Sequence, residues 1–241
     1  MTTSPPSTLA CPVQTYQAPG TLLTGNFDLL ARPYRWMEYL TFGPLLARCR
    51  LTFLADLTHC RQAMVLGDGD GRFTARLLRS NPFIRIDAVD ASPAMLRTLV
   101  RRAGPLASRV RAHHADARAW QPASPPCDLI ATHFFLDCLT TTEIRALAQR
   151  LRSHAAPSAL WLVSEFAVPP TLFGRLIARP IVASLYCAFG LLTGLGIRTL
   201  PDHSAAFLEA GFVLLKSHTR LRGLLVSELW SAGQSAPSAT L

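Results

Sequence analysis

Lysine is almost missing from this chain. Lys216 stands alone among 24 basic residues, and the arginines that make up the rest are scattered singly or in pairs such as Arg101-Arg102. No stretch of five or more clustered basic residues occurs, so the formal net charge of +9 makes no dedicated nucleic-acid patch, and no nucleic-acid partner is expected. The six cysteines, Cys11, Cys49, Cys60, Cys127, Cys138 and Cys187, show neither a CxxC pair nor metal-ligand spacing. Most lie in apolar runs, where cysteine acts as a small hydrophobe. No metal is therefore expected, and a cytoplasmic setting with free thiols is. No basic residue precedes Arg32 and no apolar core leads to a cleavage site, which argues against a signal peptide. The insertion contains an uncharged run, Ile181 to Ile197, of 17 residues including Ser184, Thr193 and three glycines. A membrane span needs about 20 apolar residues, so this run is expected to stay out of the bilayer.

What the chain does have is apolar content, 49% of 241 residues, enough for the core of one α/β domain. Residues 1–20, with four prolines among small polar residues, read as a disordered leader, and 231–241 as a disordered tail. Between them, 21–230 form the domain. It opens with a helical cap that starts near Pro33, and it carries a lid insertion at 169–200. Apolar runs at 64–66, 84–89, 110–115, 128–133 and 160–166 alternate with helical patterns. Phe212 to Lys216 and Leu224 to Trp230 follow as two strands close enough to pair antiparallel. The expected fold is a doubly wound, Rossmann-like three-layer sandwich. Its seven-stranded sheet is mostly parallel with an antiparallel last strand, and ligands bind at the carboxyl ends of the strands.

The stretch that organises the rest is Met64-Val65-Leu66-Gly67-Asp68-Gly69-Asp70-Gly71-Arg72-Phe73. Three alternate glycines between a strand and a helix permit positive φ and close approach of a ligand to the backbone. Asp90, 23 residues beyond Gly67, ends the second strand, where a carboxylate can accept both hydroxyls of a ribose. A dinucleotide motif G-x-G-x-x-G would need its third glycine at Thr74 or Arg72, and both fail.

Taken in order, these residues resemble the class I S-adenosylmethionine-dependent methyltransferases. Gly67-x-Gly69-x-Gly71 looks like their first motif and Val89 to Leu96 their second. Asp116-Ala117 looks like the pair that holds the adenine, and Asp128 to Leu139 the fourth-strand motif whose end touches the methionine part of the cofactor. The likeness covers about residues 26–230. A shorter one, in Phe27-Asp28, Ala31, Tyr34, Phe42-Gly43 and Arg48, is similar to quinone-biosynthesis C-methyltransferases, whose helical leader closes over the cofactor. The resemblance implies S-adenosyl-L-methionine as cofactor, held by Tyr34, Gly67, Asp68, Gly69, Gly71, Asp90, Ala91, Asp116, Ala117 and His133. One position departs from the pattern: the acid two residues before the first glycine is replaced by Val65, with Asp68 or Asp70 as substitutes. The Asn/Asp-Pro-Pro-aromatic signature of amino-methylating DNA enzymes is absent.

The implied activity is methyl transfer to a small, apolar molecule, and the alternative is a catalytically silent cofactor-binding or interaction module. Such a transfer needs alignment more than a covalent catalyst. Two residues are candidates for catalysis. His133 either lines the methionine pocket or acts as a base, and Asp137 either caps the next helix or contacts substrate. Glu165 and His203 either line the opening or are solvated. The uncharged run of the insertion reads as a buried lid helix, with an apolar substrate wall and arginine-mediated contact with a membrane surface as the functional alternative.

Overall fold

A computed structural model describes residues 14–15, 44–122, 126–184 and 200–233. The helix expected from Pro33, Tyr34 itself, most of the leader and residues 185–199 of the insertion lie outside the described residues. In chain order the elements are β1 (Gln14–Thr15), α1 (Pro44–Arg50), β2 (Gln62–Leu66), α2 (Arg72–Ser80), β3 (Arg85–Asp90), α3 (Pro93–Ala103) and β4 (Val110–His114). There follow β5 (Cys127–His133), α4 (Thr141–His154), β6 (Ala155–Phe166), α5 (His203–Glu209), β7 (Phe212–Arg220) and β8 (Leu225–Ala232).

The strands form one sheet in the order β1-β4-β3-β2-β5-β6-β8-β7. Pairing is parallel from β1 through β6, while β8 runs antiparallel between β6 and β7. The seven long strands are the expected ones, and two details differ. Gln14 and Thr15, inside the stretch read as a disordered leader, pair with His113 and His114 as a short eighth strand. At the other end β8 continues to Ala232 opposite Phe212, and the Gly233 N–H donates to the Gly211 carbonyl. The sheet therefore takes in the first residues of what composition alone reads as a tail.

Alternation along the strands sends side chains to two layers. Met64 and Leu66 join Ile130, Trp161, Phe207 and Trp230 on one face, and Val65 joins Phe73, Leu77, Ile86 and Leu99 on the other. Helix ends are set locally. Ser92 accepts the Met95 N–H at 3.2 Å, Pro93 occupies the first turn of α3, and Gly104 ends that helix at φ 59°. Thr140 and Glu143 form the reciprocal capping box of α4, an arrangement worth about 1 kcal/mol.

The described part of the insertion is helical and contains a π turn at Gly174–Ala178. Ala178 and Val182 pack with Leu46, Cys49 and Phe134, while Leu172, Leu176 and Ile177 face outward. No helix among the described residues is long and apolar enough to cross a membrane.

Candidate functional site

The loop after β2 places all three glycines at positive φ: 67° at Gly67, 58° at Gly69 and 78° at Gly71. The Gly67 N–H donates to the Val89 carbonyl at 2.9 Å, which brings the loop beside the end of β3. The space above the three glycines is used differently. A Cβ at Gly67 would meet the Phe135 ring at 2.5 Å, and one at Gly71 would meet Leu99, including its Cα at 2.7 Å. Above Gly69 the nearest heavy atom is Met95 Sδ at 3.9 Å. Close approach of a ligand, expected along the whole loop, is thus open at Gly69. At the other two positions the missing side chain makes room for the protein itself.

Asp68 turns inward. Its carboxylate accepts the Thr74 N–H at 2.8 Å and the Phe73 N–H at 3.4 Å, so it caps α2 from within the loop. Asp70 pairs outward with Arg72 at 3.1 Å and Arg102 at 2.8 Å. Val65, where the resemblance expects an acid, is buried in the core. Burial raises the Asp68 carboxyl above its ordinary range, against the lowering effect of the Thr74 bonds.

Asp90 stands across from the loop. Its carboxylate accepts the Ser92 N–H at 2.8 Å, and the Gly69 N–H also bonds to it. Burial pushes it up to about 6, with Asp68 adding repulsion and the two N–H donors opposing the rise. A carboxylate offers about four acceptor positions, so Asp90 has capacity for further donors. The Ala91 carbonyl bonds to His114 Nε2 at 3.1 Å. Asp116, the next predicted contact, closes its own turn by accepting the Arg118 N–H, and Arg118 also grips both its oxygens, with Nη2 at 2.6 Å from Oδ2. Arg118 reaches Glu143 as well, at 2.7 Å. The Ala117 carbonyl accepts from Arg150 at 2.6 Å.

His133, placed by the sequence at the mouth of β5, is 2% exposed. Its Nδ1 lies 3.1 Å from Ser164 Oγ, its ring meets Phe73 edge-on at 4.3 Å, and Nε2 has no hydrogen-bond partner among the described residues. Burial first, and then the nearby Arg50 charge, hold it well below the usual histidine range, so the ring is neutral. Phe134 follows at φ 53°, a costly conformation for a side-chain-bearing residue, with the Arg50 guanidinium 5.1 Å above its ring.

Beyond β5 lies a cavity of about 310 Å³, lined among others by Asp137, Glu165, Phe166, Val168 and His203. Asp137 sits in a 3-10 turn and does not cap the next helix, because Thr140 holds that position. Glu165 is buried rather than solvated. Its Oε1 accepts the N–H groups of Phe135 and Leu136 at 3.1 and 2.9 Å, and its Oε2 has no hydrogen-bond partner among the described residues. Desolvation raises both acids, Asp137 to about 6 and Glu165 well above its usual range, and the Asp137 charge raises Glu165 further. His203 is held by Glu228 at 3.0 Å, which also accepts Trp230 Nε1 at 2.9 Å. The sequence named Glu165 and His203 without a claim for either; the signal for Glu165 was an acid ending an otherwise apolar run.

Residues 63–158 match the family model described as "Methyltransferase domain". A trans-aconitate 2-methyltransferase from Azoarcus sp. (strain BH72) is 34% identical over 125 residues, 51% of this chain. The chain spans about half the length of that relative, 47% of it. Among solved structures, the mitomycin 7-O-methyltransferase MmcR aligns with TM-score 0.62 and 16% identity, over 87% of this chain and 61% of its own. The pyocyanin biosynthetic protein PhzM aligns with TM-score 0.61 and 16% identity, over 86% and 61%. An O-methyltransferase family protein from Burkholderia thailandensis gives TM-score 0.62 at 16% identity, over 87% and 58%. At such identities the structural likeness speaks for the fold.

Proposed function

We propose, from the premise that residues 63–158 are a class I S-adenosylmethionine-dependent methyltransferase domain, that the whole chain transfers a methyl group from S-adenosyl-L-methionine to a small molecule. The observation that carries this reading is the pairing of Gly69 with Asp90. Gly69 leaves open space at the carboxyl end of β2, and beside it the Asp90 carboxylate is partly buried with unused acceptor positions. A ribose with two hydroxyl donors fits that pair. Asp116 and Ala117, at the end of β4, are the residues to hold the adenine, with Arg118 fixing the Asp116 carboxylate in place. The relatives' names, which refer to mitomycin, pyocyanin biosynthesis and trans-aconitate, support a small molecule as the methyl acceptor.

When bound, the cofactor supplies an electrophilic methyl group on a sulfonium sulfur. The chain's part is to align the acceptor and set its protonation state. His133, neutral and enclosed, acts as wall. His203, fixed by Glu228 and facing the cavity, is better placed to take a proton from an acceptor hydroxyl. Buried thiols at Cys49, Cys60 and Cys127 suit a reducing compartment such as the cytoplasm. The test is calorimetry of the intact protein with S-adenosylhomocysteine. Binding that weakens more than about tenfold in Asp90→Ala supports the reading. No binding by the unaltered protein, or full binding by Asp90→Ala, sinks it.

A further inference from the structure

Glu165 presents a chemical imbalance. Its Oε1 accepts the backbone N–H groups of Phe135 and Leu136, and the Asp137 N–H also bonds to the carboxylate, yet Oε2, in a residue only 2% exposed, has no hydrogen-bond partner among the described residues. A buried, unpaired carboxylate oxygen is costly and calls for a donor. Among the described residues, the neighbouring cavity lining holds Asp137, Glu165 and Asp202 and no lysine or arginine. Asp202 is occupied in capping α5 through the Ala205 N–H, and His203 is matched by Glu228. That leaves, among the described residues, Asp137 and Glu165 as two acidic side chains with no cationic partner, beside a cavity large enough for a small molecule.

We propose that Glu165 and Asp137 form the binding site for a cationic nitrogen on the methyl acceptor, so that the substrate class is a small amine or similar cation. This rests on the methyltransferase reading above, and it departs from an acceptor that is merely apolar. The apolar body of the molecule lies against Phe166 and Val168, and its cation reaches the acid pair at the inner end. The raised protonation range of both acids agrees with two carboxyls that wait for a cation. The cofactor's own ammonium group is a second source of the same chemistry. The cavity lies past β5, however, and none of its lining residues comes from the loop at Gly67–Gly71.

The test uses the full chain saturated with S-adenosylhomocysteine and three matched probes, phenethylamine, 2-phenylethanol and 3-phenylpropionate, followed by calorimetry. The amine is expected to bind about tenfold or more tighter than the alcohol, and the acid weakest of all. Glu165→Gln keeps an Oε1 acceptor for the two backbone N–H groups and should weaken the amine by about tenfold while moving S-adenosylhomocysteine by less than about twofold. Asp137→Asn serves as the second variant should the first fail to fold, with the same pattern expected. Equal binding of the three probes, no heat from the amine, or amine binding untouched by both substitutions overturns the proposal. A loss confined to S-adenosylhomocysteine assigns the pair to the cofactor and also overturns it. If the unaltered protein does not take up S-adenosylhomocysteine, the methyltransferase reading itself has failed.

Discussion

Phe135 fills the space that a side chain at Gly67 would need: a Cβ there would stand 2.5 Å from Cδ2 of the ring. At Gly71 the obstacle is the Leu99 backbone, which cannot rotate away. Gly67→Ala and Gly71→Ala should therefore unfold the protein or lower its melting temperature sharply, since each adds a clash to a positive φ. Gly69→Ala meets open space and should cost only about 1–2 kcal/mol, for its φ alone. It should nevertheless lose S-adenosylhomocysteine binding, because the added methyl enters the space left for the ligand. Thermal melts alongside calorimetry separate the two outcomes, and a Gly69→Ala protein that binds normally would contradict this division.

Asp90 gives a pH signature. Its carboxyl titrates at about 6 in the folded chain, above the ordinary range, so folding favours the protonated form. Its contribution to stability is greatest at low pH and declines as pH rises through that window. Ribose hydroxyls donate to the ionised form, so affinity for S-adenosylhomocysteine should rise over the same interval, measurably between about pH 5 and about pH 7.5. Asp90→Asn should make the ligand-free protein about 1–3 kcal/mol more stable at neutral pH while weakening the ligand. Flat affinity across the window would contradict the assignment.

Asp87 behaves in the opposite sense. It is buried, which on its own raises the carboxyl. Bonds from His113 at 2.7 Å and Arg111 at 2.6 Å outweigh burial and hold it below the ordinary range, and Gln62 adds a third donor at 2.8 Å. Its stabilisation is present above the ordinary carboxylate range and should be lost as pH falls through the lowered value. Asp87→Ala strands His113 in the interior and should cost about 3 kcal/mol in urea unfolding, with the ligand site unchanged.

The outward row of Leu172, Leu176 and Ile177 shares its helix with Arg175 and Arg179. Co-sedimentation with anionic vesicles should recover the protein, and Leu176→Asp should abolish that recovery with no change in melting temperature. Recovery by neutral vesicles alone would speak against the arginines' part in it.

Periodicity reports which residues are buried in regular elements, and so the strands and helices from Met64 to Trp230 were legible. Thr140 and Glu143, or Ser92 and Pro93, mark helix starts by chemistry that acts within four residues. The direction in which a loop side chain turns was not legible. That Asp68 bonds the first-turn N–H groups of Phe73 and Thr74 follows from the course of α2, which no local pattern gives. Phe135 could not be matched to Gly67, since no local pattern links positions so far apart. His133 looked like a residue at a mouth because β5 ends there; its enclosure by Phe73 and Ser164 comes from two other elements. Glu165 and Asp137 come together for the same reason.

The antiparallel placement of β8 has a consequence for biosynthesis. The strand is made after β7 yet lies inside it, hydrogen-bonded to β6 on one side and β7 on the other. While the ribosome is still adding residues up to Gly223, the parallel half of the sheet, with the glycine loop and Asp90, can already assemble. β7 has nothing to pair with until Leu225–Ala232 emerges. During that interval the open side of β6 is a bare sheet edge, ready to pair with another nascent chain. Ribosomal pausing near Gly223 would lengthen that exposure, so yield in cells depends on how quickly the last strand is delivered.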